Sequence, residues 1–147
     1  MCARRPMTIA ALALLGVLGG CGSSAPDPVF GVRLGMTPPQ VRERFAPSPG
    51  GTFRSEAQGE DLILVWEPSA SPGPVRIARH EFHLGQLVAM RLTLEPSSAE
   101  AGGPAMELTG VSVLTRETTE SGVELTWLAR SCPTHADEVR RRIQEHR

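Results

Sequence analysis

No lysine, asparagine or tyrosine occurs in the 147 residues, aromatic side chains make up 4% of the chain, and cysteine occurs three times. All 15 basic residues are therefore arginine, a bias that reflects genome base composition before it reflects chemistry. The formal charge is -1, and setting aside Arg4 and Arg5 leaves 13 basic against 16 acidic residues, a net -3. A nucleic-acid-binding domain carries a basic face or stripe, so nucleic acid is excluded as the expected partner. Three cysteines are too few for a disulfide framework. The longest uncharged apolar stretch, Met7 to Gly20, has 14 residues, and a spanning helix needs roughly 20. Length and composition fit one modest globular domain and exclude a multidomain enzyme.

Several catalytic signatures are also missing. There is no Gly-x-Ser-x-Gly elbow, no Ser-x-x-Lys, no phosphate-cradling glycine loop and no Cys-x-x-Cys pair, so hydrolase, nucleotide and dithiol mechanisms lack their usual parts. His80-Glu81-Phe82-His83 is one residue short of a zinc-protease motif and falls on an alternating pattern, which sends the two histidines to opposite faces of a strand. His135 beside Cys132 and Asp137 has no further ligands at a recognisable spacing. The expected reading is no metal, no cofactor and no catalysis, with Cys132 a small buried hydrophobe and Trp66 and Trp127 in the core.

What is present begins at the amino terminus. Met1 to Arg5 is cationic, Met7 to Gly20 is rich in Ala and Leu, and small residues precede Cys21, which is the layout of a secretory signal. Leu18-Gly19-Gly20-Cys21 resembles the bacterial lipobox. That resemblance implies a signal peptide over residues 1–20, diacylglycerol on the Cys21 sulfur, and attachment to the membrane by acyl chains worth about 0.8 kcal/mol per buried CH₂. Gly22 stands where an Asp would resemble an inner-membrane retention signal, so the expected location is the outer membrane, lipid-anchored and facing the periplasm. Residues 21–28 form an acylated, proline-bearing tether. Cys2 leaves with the signal and Cys21 is acylated, so Cys132 is the lone thiol of the domain.

Residues 29–147 read as a single small α+β domain, an antiparallel sheet of about four or five strands with an early helix and a C-terminal amphipathic helix. Thr37 caps a helix whose first position suits Pro38, Gln40 completes a capping box, and Val41 and Phe45 lie one turn apart. Ala46 to Asp61 reads as a long connection with a poorly formed helical turn. Leu62 to Glu67 is an inner strand stopped by Pro68. From Arg76 to Glu95 the apolar residues fall on even positions in both arms of a hairpin. A turn with Gly85 in the left-handed bulge position keeps them on one face and sets His80 opposite Val88. A second hairpin pairs Val111–Glu117 with Val123–Ala129 across Thr118–Gly122, and Val123, Leu125, Trp127 and Ala129 mark its buried face. In the last segment Thr134 and Asp137 form a capping pair, and Ala136, Val139 and Ile143 form an apolar stripe. Arg140, Arg141, Arg142 and Arg147 gather at the carboxyl end of that helix, where cations complement the dipole. They are the candidate contact patch for an anionic lipid, glycan or acidic partner.

Phe30 to Phe45, F-G-V-R-L-G-M-T-P-P-Q-V-R-E-R-F, resembles the glycine-methionine-threonine segment that opens the first helix of small outer-membrane lipoproteins of the SmpA/OmlA, or BamE-like, family. E-F-H-L-G-Q-L-V-A-M resembles the strand-glycine-strand hairpin of those domains. The family has two helices followed by three strands, against the single early helix and longer run of strands read here. The resemblance implies a non-enzymatic accessory or scaffolding role in which Gly35, Met36 and Thr37 start a helix. The expected function is a lipid-anchored module that binds an envelope protein. The alternatives are a small-ligand or cell-wall-binding lipoprotein, or a periplasmic enzyme inhibitor acting through loops at Pro68–Pro74 or Ala99–Pro104. A deep apolar pocket favours a ligand, and an exposed edge or flat apolar patch favours a protein.

Overall fold

Thr37 adopts an extended conformation and its backbone N–H donates to Gln40 Oε1 at 2.9 Å, the half of the capping box made by the glutamine. Helix α1 follows over Pro38–Arg44. In this computed structural model, which describes residues 27–47, 50–69 and 73–147, the expected signal peptide, Cys21 and most of the expected tether lie outside the described residues. A tight turn precedes the helix: Val29 and Val32 exchange backbone hydrogen bonds at 3.0 Å around Phe30 and Gly31.

Seven strands follow: β1 (Gly51–Gln58), β2 (Asp61–Pro68), β3 (Val75–His83), β4 (Gln86–Leu94), β5 (Met106–Leu108), β6 (Ser112–Thr119) and β7 (Gly122–Ala129). They form one sheet in the order β1-β2-β3-β4-β7-β6-β5, with every neighbouring pair antiparallel. The α+β class stands, and the count of four or five strands is corrected to seven. The two strands that sequence patterning passes over are the edges. β1 lies within the expected 46–61 connection. Paired on one side only, it is built from half-exposed polar residues around Phe53, so it carries no apolar run to announce it. β5 has only three residues.

The first hairpin keeps its apolar sets together by a different device from the one its pattern suggests. Leu84 and Gly85 both have positive φ, 50° and 76°, making a two-residue turn that pairs His83 with Gln86 and Phe82 with Leu87. A bulge between Glu81 and Phe82 then shifts the register, and His80 faces Met90, not Val88. The extra residue is Val88, so Leu87 joins Met90, Leu92 and Leu94 on the core face.

β7 is buried on both sides because it lies between β4 and β6, with the main core on one face and α2 on the other. Val123, Leu125 and Trp127 face α1's side, and Thr126 and Leu128 face the other. The main core packs Val41 and Phe45 of α1, with Val29 and Val32, onto Leu64, Trp66, Phe82, Met90 and Trp127. Phe45 is its hinge point, edge-on to Trp66 at 5.5 Å and to His80 at 4.6 Å between ring centroids.

Helix α2 (Ala136–Glu145) covers part of the opposite face, burying Val139 and leaning Ile143 on Ala89, Val113 and Leu128. A 3-10 turn over Pro133–His135 leads into it, and the residue at its N-cap is His135. Thr134 therefore does not cap it: Pro133 has already started a tighter turn one step earlier.

Candidate functional site

A cleft opens where the α1 lead-in meets the end of the sheet. Gly35, at φ 86°, donates its N–H to the Leu87 carbonyl at 2.8 Å, and Leu87 N–H donates to the Met36 carbonyl at 2.8 Å. This pins the Arg33–Gly35 loop beside the start of β4 and leaves a gap between that loop and the end of β7. The gap has a volume of about 260 Å³. Its walls include Leu34, Leu87, Val88, Val111, Trp127 and Ala129, with Arg33, Gln86 and Ser131 as polar neighbours. Val111 is 59% exposed. Arg33 is exposed and has no carboxylate within ion-pair distance among the described residues. The lining is mostly apolar, with Arg33, unpaired among the described residues, at its rim.

A second constellation lies under α2. Arg91 on β4 donates through Nε to Glu81 Oε1 at 2.9 Å, and through both terminal nitrogens to the two oxygens of Glu138, each at 2.8 Å. Glu81 Oε2 faces His135 Nε2 at 3.0 Å. The hydrogen bond from His135 and the charge of Arg91 hold the Glu81 carboxyl near 2, well below its ordinary value, against the opposing effect of burial. The same carboxylate lifts His135 to about 9, so it is an imidazolium at neutral pH. Arg142 adds ion pairs to Glu117 and Glu138 and a bond to Thr115 Oγ1 at 3.2 Å.

This cluster joins α2 to the sheet with every carboxylate engaged by a cation, which is the chemistry of a clamp. Cys132, buried beside His135, is pushed up by burial, but the nearby imidazolium and Thr134 more than offset that and leave the thiol below its ordinary value. Cys132 lines neither the cleft beside Gly35 nor the pocket around His135. No group of three His, Cys, Asp or Glu side chains among the described residues is placed to hold a metal ion.

The four C-terminal arginines do not form one patch. Arg142 turns inward and is mostly enclosed by its partners, whereas Arg140, Arg141 and Arg147 are exposed. Arg140 pairs with Asp137, and Arg141 lies 3.9 Å from Glu145. The helical period explains this: Arg142 follows Glu138 by four residues and Val139 by three, and so shares their inward face. Asp137 is accordingly on the solvent side, away from Cys132 and His135, and the carboxylate that serves His135 is Glu81, supplied by β3. Trp66 and Trp127 are both buried. Cys21 lies outside the described residues.

His80 and His83 do point to opposite faces. His83 Nδ1 lies 2.7 Å from Asp61 Oδ1 across the end of β2, which raises its pKa. His80 is fully buried, no bond to either ring nitrogen meets hydrogen-bond geometry, and burial lowers its pKa to about 4 although the Leu64 backbone opposes the shift. Sequence reading missed the cleft altogether. The one local signal for it is Gly35, whose positive φ lets the loop approach Leu87. Comparison with known protein families, with curated proteins and with solved structures finds no match to this chain.

Proposed function

We propose that this chain is a lipid-anchored envelope protein, held at the periplasmic face of the outer membrane through Cys21, whose domain binds another envelope protein without catalytic turnover. The cleft beside Gly35 carries this reading. Its apolar lining, the exposed Val111 at its edge and Arg33, unpaired among the described residues, suit an apolar side chain that projects from a partner with acidic surroundings. A volume of about 260 Å³ falls just below the roughly 300–1,000 Å³ of pockets that enclose a small molecule. The same cleft half-open to solvent accommodates one protruding side chain readily, so a protein partner is favoured over a free ligand. The clamp under α2 supports the non-catalytic part of the reading, since its charges are spent on each other.

The lipobox resemblance supports the anchor, and the resemblance of the segment ending in Gly35-Met36-Thr37 to BamE-like lipoproteins supports an accessory role. The test is mild in-cell crosslinking followed by isolation of the tagged, acylated protein, beside Cys21→Ala and Val111→Asp variants. One envelope protein should copurify with the wild type and be lost with Val111→Asp. Equal recovery with Val111→Asp would remove the cleft from the account. Capture of no protein by a wild type still located in the outer membrane would remove the protein-binding role.

A further inference from the structure

The long free edge of the sheet is β1, and its backbone is set up to pair. The two-residue turn at Gly59–Glu60 makes Gln58 and Asp61 a hydrogen-bonded pair. Alternation along an antiparallel ladder then turns the backbone groups of Gln58, Glu56, Arg54 and Thr52 toward β2. The N–H and C=O groups of Phe53, Ser55 and Ala57 face away from the sheet, and no backbone group among the described residues bonds to them.

Charged side chains on an edge usually prevent sheet extension. Here their order matters. If two copies met edge to edge, antiparallel, with a two-fold axis at Arg54, the two Arg54 side chains would oppose each other. An axis at Glu56 would oppose the two glutamates. An axis at Ser55 sets Arg54 of each copy opposite Glu56 of the other, and Thr52 opposite Gln58. It also brings the outward backbone groups of Phe53, Ser55 and Ala57 into register with Ala57, Ser55 and Phe53 of the second copy. Opposite charges in direct cross-strand pairs stabilise a ladder and like charges destabilise it, so the axis at Ser55 is favoured over those at Arg54 and Glu56, and axes at Phe53 or Ala57 form no Arg54–Glu56 pair.

Within one copy these charges already form a row. Arg54 and Glu56 project from the same face of β1 and touch each other, with Glu67 3.6 Å from Arg54 and Arg79 3.8 Å from Glu56. Arg54 is half exposed. Pairing through Ser55 would extend these contacts into an alternating row, Glu67, Arg54, then Glu56 and Arg79 of the second copy. β5, at the opposite edge, offers three residues.

We propose that β1 is a self-association edge: two copies of this chain pair antiparallel through Gly51–Gln58 with the two-fold axis at Ser55, joining their sheets into one. The partner this assigns is a second copy, and the assignment is independent of what the cleft beside Gly35 binds.

The test uses the full chain in its own membranes with variants that each carry one added cysteine, the buried Cys132 being retained. In the proposed pair the two Ser55 α-carbons lie about 5.5 Å apart, within the roughly 4.4–6.8 Å that a disulfide spans. The two copies of Glu60 would be separated by on the order of 30 Å, at about 3.4 Å per residue. Mild oxidation should convert Ser55→Cys to a band of twice the mass and leave Glu60→Cys monomeric. Arg54→Glu in the Ser55→Cys background should cut the dimer yield by about tenfold, and adding Glu56→Arg should restore it. Circular dichroism of each purified variant checks that the exchanged surface charges leave the fold intact. Equal yields from Ser55→Cys and Glu60→Cys would overturn the proposal, as would a Ser55→Cys yield indifferent to Arg54→Glu. An adduct joining Ser55→Cys to a different protein would overturn it too, by putting another chain's strand on this edge.

Discussion

His135 Nε2 and Glu81 Oε2 stand 3.0 Å apart across 54 residues of chain, tying the turn before α2 to the centre of the sheet. His80, one residue before Glu81, faces the opposite side of the same strand, and no bond to either ring nitrogen meets hydrogen-bond geometry. Adjacent β3 residues thus hold two histidines in opposite states: Glu81 keeps His135 charged at neutral pH, and burial keeps His80 neutral.

Stability should therefore peak near pH 6.5. His80 has a folded pKa of about 4 against an ordinary 6.5, so the unfolded chain binds the extra proton first and stability falls as pH drops from 6.5 to 4. The full effect is about 3 kcal/mol, at about 1.4 kcal/mol per pKa unit. His135 is raised to about 9, so its contribution is complete below 6.5 and is lost as pH rises through 9. Urea unfolding from pH 4 to 9.5 should trace both limbs. His80→Phe should flatten the acid limb and His135→Gln the alkaline one. A limb that persists unchanged in its own variant would refute its assignment.

Arg91 holds two carboxylates from different elements, so its removal should cost more than a surface ion pair. Arg91→Met leaves Glu81 and Glu138 partly buried with fewer cations, and a loss of about 2–4 kcal/mol is expected, toward the lower end of values for broken buried pairs. Hydrogen exchange should rise first in α2. A loss below about 0.5 kcal/mol would mean that the clamp is solvated and weak.

Gly51 and Gly85 should respond differently to alanine. A Cβ at Gly51 would lie 2.3 Å from the Trp66 ring and from the Glu67 carbonyl oxygen. Gly51→Ala must therefore displace β1 or the indole, at about 1–3 kcal/mol. At Gly85 a Cβ meets nothing within 4 Å, and only the positive φ of 76° opposes it, a cost of about 1–2 kcal/mol. Thermal unfolding should show both losses, with near-ultraviolet dichroism of the tryptophans altered only by Gly51→Ala.

The cleft makes a prediction about stability as well as binding. Val111 is exposed and lies just outside β6, so Val111→Asp should alter unfolding free energy by no more than about 0.5 kcal/mol. A larger loss would show that Val111 supports the fold, and the binding variant would then need to be Arg33→Glu.

What could be read from sequence follows what each segment buries. α1 announced itself because Thr37, Pro38, Gln40, Val41 and Phe45 each do a local job in a fixed order. β2 and β7 were legible from their apolar runs, and α2 from Val139 and Ile143. β1 was not, because a strand bonded on one side draws its order from Asp61–Pro68 across the hairpin, not from its own side chains. Parity keeps the apolar sets of the Arg76–Glu95 hairpin on one face, but it does not fix their pairing. Leu84 takes a positive φ that its side chain disfavours, which moves the turn one step and the bulge to Val88. The site was least legible: Glu81 meets His135 only through the tertiary fold, and the cleft is a gap between Arg33–Gly35 and the end of β7 that no single segment encodes.

The central claim is that the domain receives its envelope partner in the cleft beside Gly35. A photoreactive amino acid placed at Val111 of the acylated protein tests it most directly, with the same residue at Gln144 on the exposed side of α2 as control. The account predicts one adduct of defined mass from Val111, absent from Gln144 and diminished by Arg33→Glu. Adducts of equal yield from both positions, or none from Val111 while the protein remains in the outer membrane, would contradict it.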